Sequence, residues 1–273
     1  LFERLILKKF IKRIIHGVGE WAKRSLNIQI GCEYNCHYCY AKAGAIWRRY
    51  STRQQWRNPI INLRKIRKGY RKVVGRTMFP TTHDITQRNI DHCITVLRKS
   101  LGAGNDILVV MKPHPSVVDR LLDALEPFKD LVTFRFTIGT MNDEVRALWE
   151  PNAPTIDERM RALMDAYIRG FRTSVSIEPM LDHQPWDVVE AVRPYVSDKI
   201  WIGTPRRLNW VLSMNCPENV EVRAAARILM EGFDLPFIQS LYDRYKADPV
   251  IRWKDSLKDI LGLERPTEAG LDI

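Results

Sequence analysis

Six short runs along the chain are dense in Val, Ile, Phe and Thr and too brief for helices. They are Ser25–Gly31 (SLNIQIG), Lys72–Phe79 (KVVGRTMF), Asp106–Met111 (DILVVM), Val132–Ile138 (VTFRFTI), Thr173–Ile177 (TSVSI) and Lys199–Ile202 (KIWI). Between them the apolar spacing changes to three and four. It predicts helices over Gln87–Leu101, Ser116–Phe128, Thr155–Arg169 and Trp186–Tyr195, with a shorter one over Asn142–Trp149. Thr155 and Glu158 stand at capping-box spacing, and Gly170 stands where a helix ends in a left-handed residue. Strands alternating with helices at this interval imply parallel strands joined by right-handed crossovers. Six units are too few for a closed eight-fold barrel. The pattern therefore predicts an α/β fold, a partial (β/α)6 TIM-type barrel, with a doubly wound open sheet as the alternative.

After Arg207 the strand pattern stops. Glu218–Glu231, Leu235–Ala247 and Asp255–Leu261 read as helices of a C-terminal cap. The expected organisation is a basic amphipathic segment over 1–24, the barrel over 25–207 with a basic helical insertion over 42–76 after the first strand, and the cap over 208–273. In either α/β form chemistry collects where strands end. The exits here are polar and rich in proline: GCEYNC, FPTTHD, MKPHP, TIGT, SIEPM and IGTPRR.

A chain of 273 residues buries roughly 75% of its unfolded surface, so no metal is needed merely to fold it. No apolar run approaches the roughly 18 residues of a membrane span, and no stable membrane association is expected. The opening LFERLILKKFIKRIIHG holds no uninterrupted apolar core and no small-residue cleavage site, so no signal peptide is expected there. Five cysteines, odd in number and clustered, point to a reducing, cytoplasmic setting.

The net charge is +11, but it is local. Lys42 to Arg76 holds twelve Lys or Arg and no acid, while the remaining 31 basic and 32 acidic residues nearly cancel. Trp47, Tyr50, Trp56 and Tyr70 interleave with these cations. Such a segment attracts phosphates and can stack bases. Arg48, Arg49, Trp56, Arg64, Lys65, Arg67 and Lys68 are its candidate nucleic-acid contacts. An acidic protein partner or a solvated face would present the same pattern.

Cys32, Cys36 and Cys39 lie within eight residues, spaced C-x3-C-x2-C, immediately after the first predicted strand. Structural zinc takes four protein ligands, typically as two pairs, and no second pair follows. Three thiolates on one loop suit three corners of a [4Fe–4S] cube, leaving one iron open. Cys93, in the helical NIDHCITVL, reads as a small core residue. Cys216 lies beyond the barrel and is a candidate thiol donor if the cap folds over the mouth. Glu178 ends the fifth strand and is a candidate for contact with cofactor or substrate. Trp201 and Gly203 on the sixth are further candidate site residues.

The cysteine spacing and its place in the strand order resemble the radical S-adenosylmethionine (SAM) superfamily. GCEYNCHYCYA, FPTTHDIT, VVMKPHP, FRFTIGT followed by WEPNAPTIDERMRAL, and SVSIEP are similar to its spore photoproduct lyase-like branch, over roughly Asn27 to Gly203. That resemblance implies a [4Fe–4S] cluster on the three cysteines and SAM at its open iron, with Tyr38 near the adenine. It implies Lys112 at SAM, Thr137 at the ribose, and His83 with Asp84 as the polar pair after the second strand. Tyr40, beside the last cluster ligand, is implied in radical transfer. The branch's hydrogen-donor cysteine is missing: Thr81 stands there, and a hydroxyl donates a hydrogen atom poorly, which puts strict lyase activity in doubt.

The implied function is reductive cleavage of SAM to a 5′-deoxyadenosyl radical that abstracts hydrogen from a substrate. A flavodoxin or ferredoxin is the implied electron donor, and a nucleic acid undergoing repair or modification is the expected substrate. Radical modification of a peptide or protein is the first alternative. A non-enzymatic, zinc-stabilised nucleic-acid-binding module is the second.

Overall fold

Among the described residues, seven parallel strands pair into one sheet, in an order that follows the chain without reversal. They are β1 (Arg24–Ser25), β4 (Thr77–Phe79), β5 (Ile107–Met111), β6 (Val132–Thr137), β7 (Arg172–Ile177), β8 (Ile200–Ile202) and β9 (Ile251–Trp253). The remaining pair, β2 (Gln29–Ile30) and β3 (Ile60–Ile61), forms a separate antiparallel ribbon. The structure, a computed structural model, describes residues 15–271. Most of the basic amphipathic segment expected over 1–24 lies outside them.

A doubly wound sheet needs a point where the strand order reverses. This one has none, so the architecture is the partial barrel. Each crossover carries its helix: α4 (Ile90–Gly102) before β5, α5 (Pro115–Leu125) before β6, α6 (Asp143–Trp149) and α7 (Ile156–Ile168) before β7, and α8 (Pro185–Val192) before β8. The expected capping box opens α7, with Thr155 and Glu158 each bonding the other's backbone. Period-two alternation sets the two faces. Ile107, Val109, Phe134, Phe136, Val175 and Ile200 join the main helix-backed core. Leu108, Met78, Trp201 and the incoming Trp21 pack inside the curve.

Three expectations need correction. The sequence predicts a first strand over Ser25–Gly31, yet only Arg24–Ser25 pairs with β4, through Thr77 and Met78. Asn27 diverts the chain: its Oδ1 accepts the N–H groups of Thr81 and Thr82 at 2.7 and 2.9 Å. The second strand starts at Thr77 rather than Lys72, because Gly75 sits at φ +80° and Asn105 takes the Val73 N–H at 2.8 Å. The C-terminal segment is not purely helical. Beside α9 (Leu208–Asn215), α10 (Val220–Gly232), α11 (Leu235–Tyr245) and α12 (Asp255–Leu261) it contributes β9, which extends the sheet from β8.

Candidate active site

The loop after β2 carries the three cysteines, and a helix follows at once: α2 (Tyr40–Trp47). Cys39 is its N-cap, its sulfur accepting the Lys42 N–H at 3.4 Å. Gly31 stands at φ +95°, where a Cβ would lie 2.7 Å from the Trp56 carbonyl, so the loop's entry needs glycine. That carbonyl accepts the Cys32 N–H at 2.9 Å. On the far side Asn215 of α9 donates to the carbonyls of His37 and Cys39 at 2.8 and 3.0 Å. The loop is therefore clamped from both ends of the chain.

All three thiols are free and line one cavity of about 340 Å³. Tyr38, Tyr40, His83, Asp84, Lys112, Thr137 and Glu178 line it too. Most of the predicted site thus comes together from β2, β4, β5, β6 and β7. Trp201 and Gly203 do not reach the wall. Trp201 is fully buried inside the curve, 5.7 Å from Trp21 and 5.4 Å above the Arg135 guanidinium. Gly203 lies behind, where a Cβ would meet Lys254 at 2.8 Å and Glu178 at 3.1 Å. Cys93 is buried in the core as expected.

Burial dominates the electrostatics. It pushes the Cys32 thiol up to about 12, with Asp84 and Cys39 adding to the rise, and lifts Cys36 and Cys39 as well. The thiols are neutral until a metal displaces their protons. Burial pulls His83 down to about 4. Its Nε2 faces the Ile28 N–H at 3.1 Å and its Nδ1 the Asp84 carbonyl at 3.0 Å, as in a neutral ring protonated on Nδ1. Burial raises Asp84 to about 6 against the pull of Lys112. Lys112 has its ammonium 3.9 Å from both Asp84 and Glu150. Burial opposes its charge, but Cys36, Tyr38, Glu150 and Asp84 outweigh it and raise its pKa.

The sequence reading missed Glu150 and Arg159, which form a fully buried ion pair, and Tyr38 donates its hydroxyl to Glu150. Both lie in WEPNAPTIDERMRAL, so the quoted stretch held a signal that spacing alone did not decode. It also missed the wall opposite the cysteines. There Lys254 joins Glu20 at 2.7 Å and stands 3.8 Å from Glu178. Burial raises Glu178 to about 7 despite that lysine. Ser176, paired in register with Thr137, also lines the cavity, and its hydroxyl has no hydrogen-bond partner among the described residues.

The donor set fits an iron–sulfur cube. Three thiols share one cavity with an adjacent cation, yet among the described residues no three His, Cys, Asp or Glu converge to hold a single metal ion. A cube takes one thiolate at each of separate iron corners, so its ligands stand further apart than those of one zinc.

The basic segment divides. Arg48, Arg49, Arg64, Arg67 and Lys68 are exposed. Lys65 is half-buried and donates to the Asn27 carbonyl at 2.8 Å. Trp56 is 2% exposed beneath the cysteine loop, so it cannot offer a surface face to a base. The accessible aromatics are Trp47 and Tyr50.

A parallel partial barrel carrying a three-cysteine loop at its first strand exit, with polar side chains at the later exits, defines a class built for a cluster-bound cofactor. The radical SAM superfamily model matches residues 26–193, and the chain belongs to that superfamily. It is 26% identical over 183 residues to the uncharacterized protein ORF301 of Acidianus two-tailed virus, covering 60% of this chain and 58% of that one. It is 23% identical over 210 residues to an uncharacterized protein of Methanocaldococcus jannaschii, covering 74% and 79%. Among solved structures it resembles spore photoproduct lyase complexed with dinucleoside spore photoproduct, with a TM-score of 0.56 and 15% identity, over 90% of this chain and 79% of that one. A spore photoproduct lyase variant with bound AdoMet and the same dinucleoside gives 0.53 and 16%, over 77% and 65%. These likenesses are of fold. No helix among the described residues is long and apolar enough to cross a membrane.

Proposed function

We propose that this chain is a radical SAM enzyme acting on a nucleic acid. The observation that carries the reading is the shared cavity: Cys32, Cys36 and Cys39 face the strand-exit residues Asp84, Lys112, Thr137 and Glu178 across about 340 Å³. A cluster held there with SAM would supply, on receiving one electron from a reductant, radical chemistry for taking a hydrogen atom from the substrate.

The chain's own residues have definable tasks. The three thiolates would hold the cluster, and the clamp from Trp56 and Asn215 fixes their loop. Lys112, kept protonated by Asp84 and Glu150, offers a charge-assisted bond to the cofactor's carboxylate. Thr137 and the unpaired Ser176 hydroxyl offer hydrogen bonds to a ribose diol. Tyr40 donates to the Thr81 carbonyl at the cavity mouth, and the Thr81 hydroxyl is engaged by Asn27 at 2.6 Å. Thr81 is thus held in the wall, and its hydroxyl is a poor hydrogen-atom donor beside a thiol.

The exposed cations of residues 42–76, together with the fold shared with a lyase bound to a dinucleoside, support a nucleic-acid substrate. An acidic one-electron donor of the flavodoxin or ferredoxin type suits the same positive field. Five unpaired cysteines support a reducing, cytoplasmic setting. The test is anaerobic reconstitution with iron and sulfide, then dithionite and SAM, reading iron content, visible absorbance and 5′-deoxyadenosine. Wild type should hold iron and form the nucleoside, and Cys36→Ala should lose both. A colourless protein carrying stoichiometric zinc would sink the reading.

A further inference from the structure

Helix α2 ends in a way that breaks a local rule. The Arg49 N–H bonds the Ile46 carbonyl at 3.0 Å and the Tyr50 N–H bonds Ala45 at 2.8 Å, the paired bonds of a Schellman ending. The residue between takes a left-handed backbone, for which glycine is the default. Here it is Arg49, at φ +61°. The next residue, Tyr50, is 70% exposed, and Trp47, one turn earlier, is 63% exposed. The Arg48 guanidinium covers Trp47 at 5.6 Å, whereas the Tyr50 ring has no aromatic or cationic partner among the described residues. Such departures gather where a site is being served.

Arg49 and Tyr50 wall a surface groove of about 470 Å³, shared with Arg53, Gln54 and Gln55. Gln55 is occupied, its carbonyl taking the Thr52 N–H at 3.1 Å, and Arg53 is tied to the Met214 carbonyl at 2.6 Å. The Gln54 amide has no partner among the described residues, so its donor and acceptor are free side by side. Arg48, Arg49 and Arg57 form no ion pair with any described carboxylate. In the groove wall a flat aromatic ring, an uncommitted amide and the unpaired Arg49 guanidinium lie together, with Arg48 and Arg57 adding charge outside it, and this set matches a base and its phosphate. An acidic protein surface would use the charges but not the ring.

We propose that this groove docks an unpaired nucleotide, whose base stacks on Tyr50 while its phosphate meets Arg49. The proposal rests on the nucleic-acid reading above and adds where the strand lies. The eight residues of α2 span about 12 Å from Tyr40, at the cavity mouth, to Trp47. That is roughly three to four duplex steps of ~3.4 Å. The docked nucleotide is thus a near neighbour of the one reaching the cavity. Stacking needs a free base face, so single strands or locally opened duplexes are preferred.

The test uses the full chain and fluorescence anisotropy with a labelled 12-nucleotide single strand and its duplex. Tyr50→Ala should weaken single-strand binding about 5- to 150-fold, Tyr50→Phe should restore it, and duplex binding should change little. Arg49→Gly should lower the slope of log affinity against log salt by about 0.7 while leaving the melting temperature equal or higher, since glycine relieves the backbone. Unchanged single-strand affinity in Tyr50→Ala, or an unchanged salt slope in Arg49→Gly, overturns the proposal and leaves the substrate class standing. Docking of an acidic protein that needs Arg49 but not Tyr50 overturns it as well. If wild type binds no oligonucleotide, the nucleic-acid reading falls with it, while formation of 5′-deoxyadenosine stays an independent result.

Discussion

Asn215 donates its side-chain amide to the carbonyls of His37, at 2.8 Å, and Cys39, at 3.0 Å, across 178 and 176 residues of chain. A residue of the C-terminal segment thereby holds the loop that presents the thiols. The role is positional, because Asn215 does not line the cavity. Asn215→Ala should lower stability by about 1–3 kcal/mol, the cost of leaving buried polar groups unpaired. It should also lower the iron retained after reconstitution. Urea unfolding and iron-to-protein ratios check both. Full iron content with lowered stability would leave Asn215 a packing residue only.

Glu150 and Arg159 are both fully buried and bonded to each other. Arg159→Met leaves the buried Glu150 carboxylate with only the Lys112 ammonium at 3.9 Å and the Tyr38 hydroxyl, so it should cost up to about 3–5 kcal/mol. The double variant Glu150→Gln with Arg159→Met should recover much of that loss. Chemical denaturation of the four proteins gives the coupling. A double variant no more stable than Arg159→Met contradicts the stranded-charge account.

Glu178 makes stability depend on pH in a defined direction. Burial raises its carboxyl from 4.5 to about 7 in the fold, so the folded state holds a proton that the unfolded chain releases earlier. This contribution is present below about pH 4.5, falls as pH rises, and is gone above about 7, at most about 3 kcal/mol. Glu178→Gln keeps the neutral shape at every pH. It should match wild type at pH 4 and exceed it at pH 8 in thermal unfolding. Parallel pH profiles for the two proteins would contradict this.

Lys112 tests the cofactor side of the cavity. Its ammonium lies between Asp84 and Glu150 and over the Tyr38 ring at 5.7 Å. Lys112→Met should weaken SAM binding to the reconstituted protein about 10- to 150-fold, the worth of a hydrogen bond to a charged group. Equilibrium dialysis reads it, with iron content as control. Unchanged affinity would move the carboxylate contact elsewhere.

What could be read along the chain was what depends on neighbours within a turn or a strand. The C-x3-C-x2-C spacing, the capping box at Thr155 and Glu158, the alternation in VTFRFTI and the acid-free stretch from Lys42 to Arg76 are all local. They were enough for the partial barrel, the thiol loop and most of the strand-exit residues. The three-residue strand Ile251–Trp253 was not legible, because it is too short to show a period and exists only through pairing with β8. Trp56 read as a surface stacker from its basic neighbours, whereas its burial follows from lying under a loop twenty residues away. Trp201 read as a site residue from its strand end, yet its side chain points into the packed interior with Trp21.

By itself, then, the sequence determined the element types, the parallel topology and the ligand chemistry, since each follows from residue identity and short spacing. Only the tertiary structure decided the Asn215 clamp, the Glu150–Arg159 pair, the Lys254 wall and the left-handed Arg49 beside a bare Tyr50. The first three join residues from nine to more than two hundred positions apart, and the last depends on a backbone angle and on what the fold leaves uncovered. No periodicity in a linear chain encodes those distances.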